Sequence, residues 1–287
     1  MKIQVPTISQ PGRHISVETL VDILSPAWEC QDVVALSFTE CSFLSAEASA
    51  LLAGLVYQRI ANKLDTVLLE HTLEKRVHRN LSKMGFVELF TREECLSNEN
   101  SIPIYHQFEH DLEGIVYYLE RHVMSRSEMP EMNAALRKEI RRSFIEIFGN
   151  TFLHSGSRIG GLVCGQIYPN LKQIQLIFFD TGVGISSRVR AATKDSTRDD
   201  RAALYWAIQK GNSTLDQVDG PRGLGLYLVR KFLEVNVGEF HIYSNKGYYS
   251  ERGGEQNPGL MKVELPGTLI DLRIQITPNI SYALTTA

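Results

Sequence analysis

The sequence predicts an α/β protein made of two successive α/β units. Three observations carry this. The first hundred residues alternate between short apolar runs and stretches of helical period. A polar, proline-bounded segment, Ser97-Asn98-Glu99-Asn100-Ser101-Ile102-Pro103, then breaks the pattern. Beyond it, two helical stretches give way to a series of apolar runs of strand length. A length of 287 residues suits two units at about 150 residues each. The expected boundaries are 1–98 for the first unit, 99–104 for the linker and 105–287 for the second.

In the first unit, Val33-Val34-Ala35-Leu36-Ser37-Phe38 reads as a buried strand. From Ala46 to Asn62, residues Ala50, Leu51, Ala53, Gly54, Leu55, Tyr57 and Ile60 recur at helical spacing. A strand at Thr66 to Glu70 follows, then a short helix from Lys75 to Met84 closed by Gly85. Phe86 to Phe90 is a further short apolar element. Such alternation favours a parallel sheet flanked by helices. In the second unit, helices are expected from about Asp111 to Ser125 and from Glu131 to His154. The longer carries Leu136, Ile140, Phe144, Ile147, Phe148 and Phe152 along one side. Strands follow at Leu162 to Tyr168 and Ile174 to Phe179, then a helical piece at Arg201 to Gln209. A glycine-rich turn leads into a helix from Leu224 to Val235. Strand-like runs at Gly238 to Ser244, Leu260 to Leu265 and Thr268 to Thr277 close the chain.

Composition narrows the function classes. Hydrophobic residues are 43% and charged residues 22%, the balance of a globular chain. Thirty basic against 33 acidic residues give a net charge of −3, which argues against a nucleic-acid partner or a polybasic membrane anchor. The longest apolar run, Ala50 to Tyr57, falls far short of the ~18 residues of a membrane span. Met1 to Gly12 carries Pro6 and Pro11 and no apolar core of a secretory signal. Cys30, Cys41, Cys95 and Cys164 form no CxxC pair, and no histidine pair has metal-ligand spacing. A cytoplasmic chain with reduced thiols is the expectation.

Three features carry chemistry. Glu146, Asn150 and His154 recur every four residues on one helix, so they drift only ~80° and share a face. A carboxylate, an amide and an imidazole so stacked could serve a hydrated Mg²⁺ and a reacting water. Arg142 stands one turn before Glu146 and could pair with it at the surface. Second, Asp180-Thr181-Gly182-Val183-Gly184-Ile185 directly follows an apolar strand, an arrangement that can hold a nucleotide base beside closely approaching backbone. It is no dinucleotide fingerprint, because the third glycine is missing and no apolar helix is expected after it. Third, Gly220-Pro221-Arg222-Gly223-Leu224-Gly225-Leu226 opens a helix, where exposed amides and the helix dipole favour phosphate. It lacks the Lys-Ser/Thr of a Walker A loop. Arg222 could reach a γ-phosphate bidentately. Taken singly, each feature has an ordinary reading: a solvated polar stripe, a turn, a helix cap.

In this order, E-xxx-N-xxx-H, D-x-G-x-G-I and G-x-G-L resemble the GHKL family of gyrase, mismatch-repair ATPases, histidine kinases and anti-sigma-factor serine kinases. The resemblance spans about Glu109 to Thr277. It extends to Gly211-Asn212-Ser213-Thr214, like that family's lid, and to Pro266-Gly267-Thr268, like its terminal GT. His154 brings the chain closest to the anti-sigma serine kinases, and no phosphoacceptor helix of a histidine kinase precedes the domain. The N-terminal third resembles a STAS domain through Val33 to Leu36, Phe43 to Ala48, Leu51-Leu52 and Val77 to Phe86. Where a phosphorylatable STAS antagonist has Asp-Ser-Ser-Gly, this chain has Ser45-Ala46-Glu47-Ala48. Glu47 then stands either as a fixed negative charge or within a module turned to structure or partner binding, the reading we prefer.

The resemblance implies a STAS-like α/β unit followed by a GHKL α/β sandwich, a mixed sheet with helices on one face. It implies ATP and Mg²⁺ as ligands and a protein partner as substrate or target, and leaves a homodimer open. Asp180 would accept from the adenine amino group, with Gly182, Gly184, Ile185 and Thr268 around the base. Asn150 would ligate Mg²⁺ through its carbonyl oxygen. Arg222, Gly223 and Gly225 would bind phosphates, Ser213 and Thr214 would join the nucleotide site from the lid, and Glu146 would orient and deprotonate water or a partner's serine or threonine hydroxyl. The alternative is a non-enzymatic, nucleotide-gated interaction module: the intact Glu146 favours chemistry, the missing acceptor serines favour binding.

Overall fold

The computed structural model describes residues 1–7, 14–91, 100–153, 155–212 and 224–284. The chain begins β1 (Lys2–Gln4), α1 (His14–Glu29), β2 (Val34–Ser37), α2 (Ala46–Ala61), β3 (Thr66–Leu68) and α3 (Lys75–Lys83). The three strands pair in parallel in the order β1-β2-β3, as helical crossovers between them require. Neither β1 nor α1 is among the expected elements. Buried Arg59 ties this unit together. Its guanidinium donates to the carbonyls of Ala27 at 3.2 Å, Cys30 at 2.7 Å, Asp32 at 2.5 Å and Asp65 at 2.8 Å, and its Nε donates to Thr66 Oγ1 at 3.0 Å. The cation thereby meets carbonyls at the C-terminal end of α1, where the helix dipole favours it.

The second unit starts with β4 (Ser101–Gln107), α4 (Leu112–Leu119), which continues as a π turn through Met124, and β5 (Glu131–Met132). It continues with α5 (Ala134–Leu153), β6 (Gly161–Tyr168), β7 (Gln173–Asp180), α6 (Ile185–Thr193), α7 (Asp200–Ala207) and α8 (Leu224–Asn236). β8 (Glu239–Arg252), β9 (Glu255–Gln275) and β10 (Ser281–Tyr282) complete it. Asp111 caps α4 by accepting from the amides of Glu113 and Gly114, and Asn133 Oδ1 accepts from Leu136 N at the start of α5. The three C-terminal runs are one long hairpin, turning at Gly253 and Gly254 (φ +56° and +84°) and irregular between Ser244 and Gly247.

One expectation about this sheet is corrected. Its order is β4-β6-β7-β9-β8 and every neighbouring pair is antiparallel, so it is not mixed. The physical reason is short connection: β6 to β7 and β8 to β9 are hairpins, which can only reverse direction. The unit's own helices do pack on one face, as expected, and the other face takes α2 of the first unit. Ile174, Leu176 and Phe178 of β7 pack with Phe144, Ile147 and Phe148 of α5. The alternate residues Ile177 and Phe179 join a second core that continues through α2 into the first unit. Strands buried on both faces read as near-continuous apolar runs, which Ile174 to Phe179 is.

Within the segment expected to be linker, residues 101–104 open β4, an edge strand paired with β6. Ile102 is fully buried there, and Pro103 sits at a register irregularity of the edge, where a missing amide is tolerated. Ile104 N donates to Met84 O at 2.8 Å, joining this strand to the end of α3. Among the described residues, no helix is long and apolar enough to cross a membrane.

Candidate functional site

The α5 helix, the end of β7 and the start of α8 bring the singled-out residues to one end of the five-stranded sheet. Glu146 and Asn150 lie one turn apart on α5, both partly exposed. Gly225, in the first turn of α8, lies against Glu146 so closely that a Cβ there would come within 2.8 Å of Oε2. Only glycine leaves the carboxylate its position. Further along, the Ser155 carbonyl accepts from Val183 N at 2.7 Å, pinning the turn after β7 to the segment that leaves α5.

Asp180, the last residue of β7, is 4% exposed. Among the described residues its side chain takes one hydrogen bond, from Gly182 N to Oδ1 at 2.8 Å. Burial pushes its carboxyl up to about 7, and the Gly182 amide offsets only part of that. A side chain at Gly182 would run into Ser155, and Gly184, at φ +78°, lies against Asn245. The fold itself therefore requires both glycines. A polar helix, not among the expected elements, follows this turn. It is α6, whose N-cap is Gly184, and its Ser-Ser-Arg opening gives it little apolar signal.

Ser244 and Asn245 hold the turn from the β8 side. Ile185 N donates to Ser244 Oγ at 2.7 Å, and Ser244 Oγ lies 3.0 Å from both Gly267 O and Thr268 Oγ1. Asn245 Nδ2 donates to Val183 O at 3.2 Å. Thr268 pairs with Asp180 across β9 and β7. Reading the sequence for motifs misses Ser244 and Asn245. Asn245 carries a signal nonetheless: Asn-Lys-Gly after a strand is turn chemistry, and Asn245 has φ +54°.

The structure thus sets Gly225 against Glu146, one turn from Asn150 on α5, and brings Asp180, Gly182, Gly184, Ile185 and Thr268 together around the turn after β7. His154, Ser213, Thr214, Arg222 and Gly223 lie outside the described residues. Arg142 forms no ion pair with Glu146 among the described residues. Glu120 instead takes Arg141 at 2.8 Å and Arg137 at 3.6 Å. Among those residues, no group of three or more His, Cys, Asp or Glu side chains could hold a metal ion.

Glu47 is not a charge on display. It is fully buried where α2 meets the sheet, and Gln175 Nε2 donates to its Oε2 at 2.8 Å. Burial, and then the Asp271 carboxylate nearby, raise its pKa. Ser45 and Ala46 are fully buried as well, so residues 45 to 47 face the protein's own interior. Comparison with protein-family models and with curated proteins gives no match for this chain.

Proposed function

We propose that this chain is a GHKL-type ATP-binding protein that uses Mg²⁺ and transfers the γ-phosphoryl group to water or to a serine or threonine of a partner protein. One observation carries the reading: Gly225 of the third motif lies against Glu146 of the first, 79 residues earlier, and the Asp180 turn of the second is hydrogen-bonded to the residues following α5. A buried aspartate with a single protein donor fits an exocyclic amine, since its second oxygen can accept one. With the 6-position of the base facing Asp180, adenine presents this amine where guanine presents a carbonyl oxygen, so the reading is adenine. Asn150 offers a hard carbonyl oxygen, and the lack of an all-protein acidic cage among the described residues suits an ion held largely by phosphates and water. Mg²⁺ would neutralise charge on the phosphates there. Glu146, one turn from Asn150, would orient the nucleophile and take its proton.

Titration with ATP, GTP and Mg²⁺, run beside labelled-phosphate transfer, tests the reading. ATP binds, GTP binds far more weakly, and Asn150→Ala removes the Mg²⁺-dependent part. Glu146→Ala keeps ATP affinity within about threefold while turnover falls about 10²-fold or more. A labelled protein band identifies a kinase, and free phosphate alone an ATPase. Equal affinity for ATP and GTP refutes the adenine assignment. ATP binding without turnover, with candidate partners present, leaves the nucleotide-gated interaction module.

A further inference from the structure

The C-terminal half of α2 belongs to the N-terminal unit, yet it ends behind the Asp180 turn. Gly54 is seated on the Phe179 ring, next to Asp180, and a Cβ at Gly54 would lie within 2.8 Å of Phe179 Cδ1 and closer still to Cε1. One turn on, the Tyr57 ring stacks on His106 of β4 at 3.7 Å and 12°. His106 in turn bonds through Nε2 to the Ile159 carbonyl at 2.7 Å. Burial lowers the His106 pKa, so the neutral ring donates this bond from Nε2–H. At the end of α2, Asn62 Oδ1 accepts from Arg158 at 3.3 Å.

Gly54 thus reaches Phe179, Asn62 reaches segment 155–160 directly, and Tyr57 reaches that segment through His106. The same segment holds the Asp180 turn from its other side. Ser155 O accepts from Val183 N, Ser157 Oγ lies 3.4 Å from Thr181 Oγ1, and Ser155 fills the space that a side chain at Gly182 would need. Segment 155–160 is therefore clamped between α2 and the turn that would receive the base.

We infer that the docked N-terminal unit is a built-in effector of the nucleotide site, acting through Gly54, Tyr57 and Asn62 on Phe179 and segment 155–160. This rests on the reading of the site as an ATP site. Tyr57 is a positioning residue: it touches neither Asp180 nor Glu146, and it acts through His106 and Ile159. Because coupling is reciprocal, nucleotide binding tightens the docking of α2, and whatever loosens α2 lowers nucleotide affinity by the same factor.

The test uses the full chain as wild type, Tyr57→Leu and Gly54→Val, with two readouts: amide exchange without nucleotide, and MgATP titration. Tyr57→Leu keeps an apolar group on α2 but loses the stack. It should speed exchange in segment 155–160 and in 177–185 by about tenfold or more and weaken ATP about tenfold, while amides of α4 are unchanged. Gly54→Val should act more strongly. If it fails to fold, Asn62→Ala joins Tyr57→Leu in its place. Unchanged exchange in segment 155–160, or faster exchange with unaltered ATP affinity, overturns the inference. A wild type that binds no ATP overturns the nucleotide reading instead, and the exchange data still decide whether α2 grips this segment.

Discussion

Replacing Asp180 by asparagine should stabilise the protein while damaging its proposed site. The carboxyl is buried, and desolvation raises it from an ordinary 3.8 to about 7. That gap corresponds to about 4 kcal/mol of native-state cost for the charged form. Below pH 4 the group is protonated in both folded and unfolded chains and contributes nothing to pH dependence. Between pH 4 and 7 the unfolded carboxyl ionises while the native one keeps its proton, so its contribution falls as pH rises. Above pH 7 the full cost is present. Asparagine is neutral throughout and retains an oxygen for the Gly182 amide. Asp180→Asn should therefore exceed wild type by about 2–4 kcal/mol at pH 8, on the order of 10 °C in Tm, with the gap closing towards pH 4. Urea unfolding at a series of pH values measures it, with equal m-values as the check on two-state behaviour. An asparagine variant no more stable than wild type at pH 8, or a difference that stays constant from pH 4 to pH 8, refutes the argument. ATP titration of the same variant should show affinity lost as stability is gained, the trade expected where a functional group is held at a cost to the fold.

Two further outcomes follow from buried charge elsewhere. Arg59→Met should destabilise the chain by on the order of 4 kcal/mol, because carbonyls of Ala27, Cys30, Asp32 and Asp65 lose their guanidinium donors together. Thermal unfolding reads this, and a loss under about 1 kcal/mol would show that water replaces the cation freely. Glu47→Gln should raise Tm at neutral and alkaline pH and flatten its decline with rising pH, since the native carboxyl is held above its ordinary range by burial. A lower Tm for the glutamine variant at pH 8 would mean that the charged form is the one the seam favours.

Much of the second unit was legible because its signals are local. The apolar stripe of α5 and the runs of β6 and β7 appear as period and length within single segments. The Asp180 turn was legible for the same reason, as an acid and spaced glycines at a strand's end. Polarity misled twice. Ser101 to Ile104 looked like linker because a short edge strand tolerates serine and proline, and α6 was hidden by its serines and arginines.

The sequence by itself determined the α/β class, most of the elements of the second unit and the turn after β7, because period and turn residues act over a few positions. Tertiary structure decided the rest. It made the sheet antiparallel, covered both its faces and put Gly225 against Glu146. It also carried Glu47 into a seam with Gln175, 128 residues away, and set α2 behind Phe179. Such contacts join segments far apart in the chain. They depend on which faces are buried against each other, and that leaves no repeating mark in either segment alone.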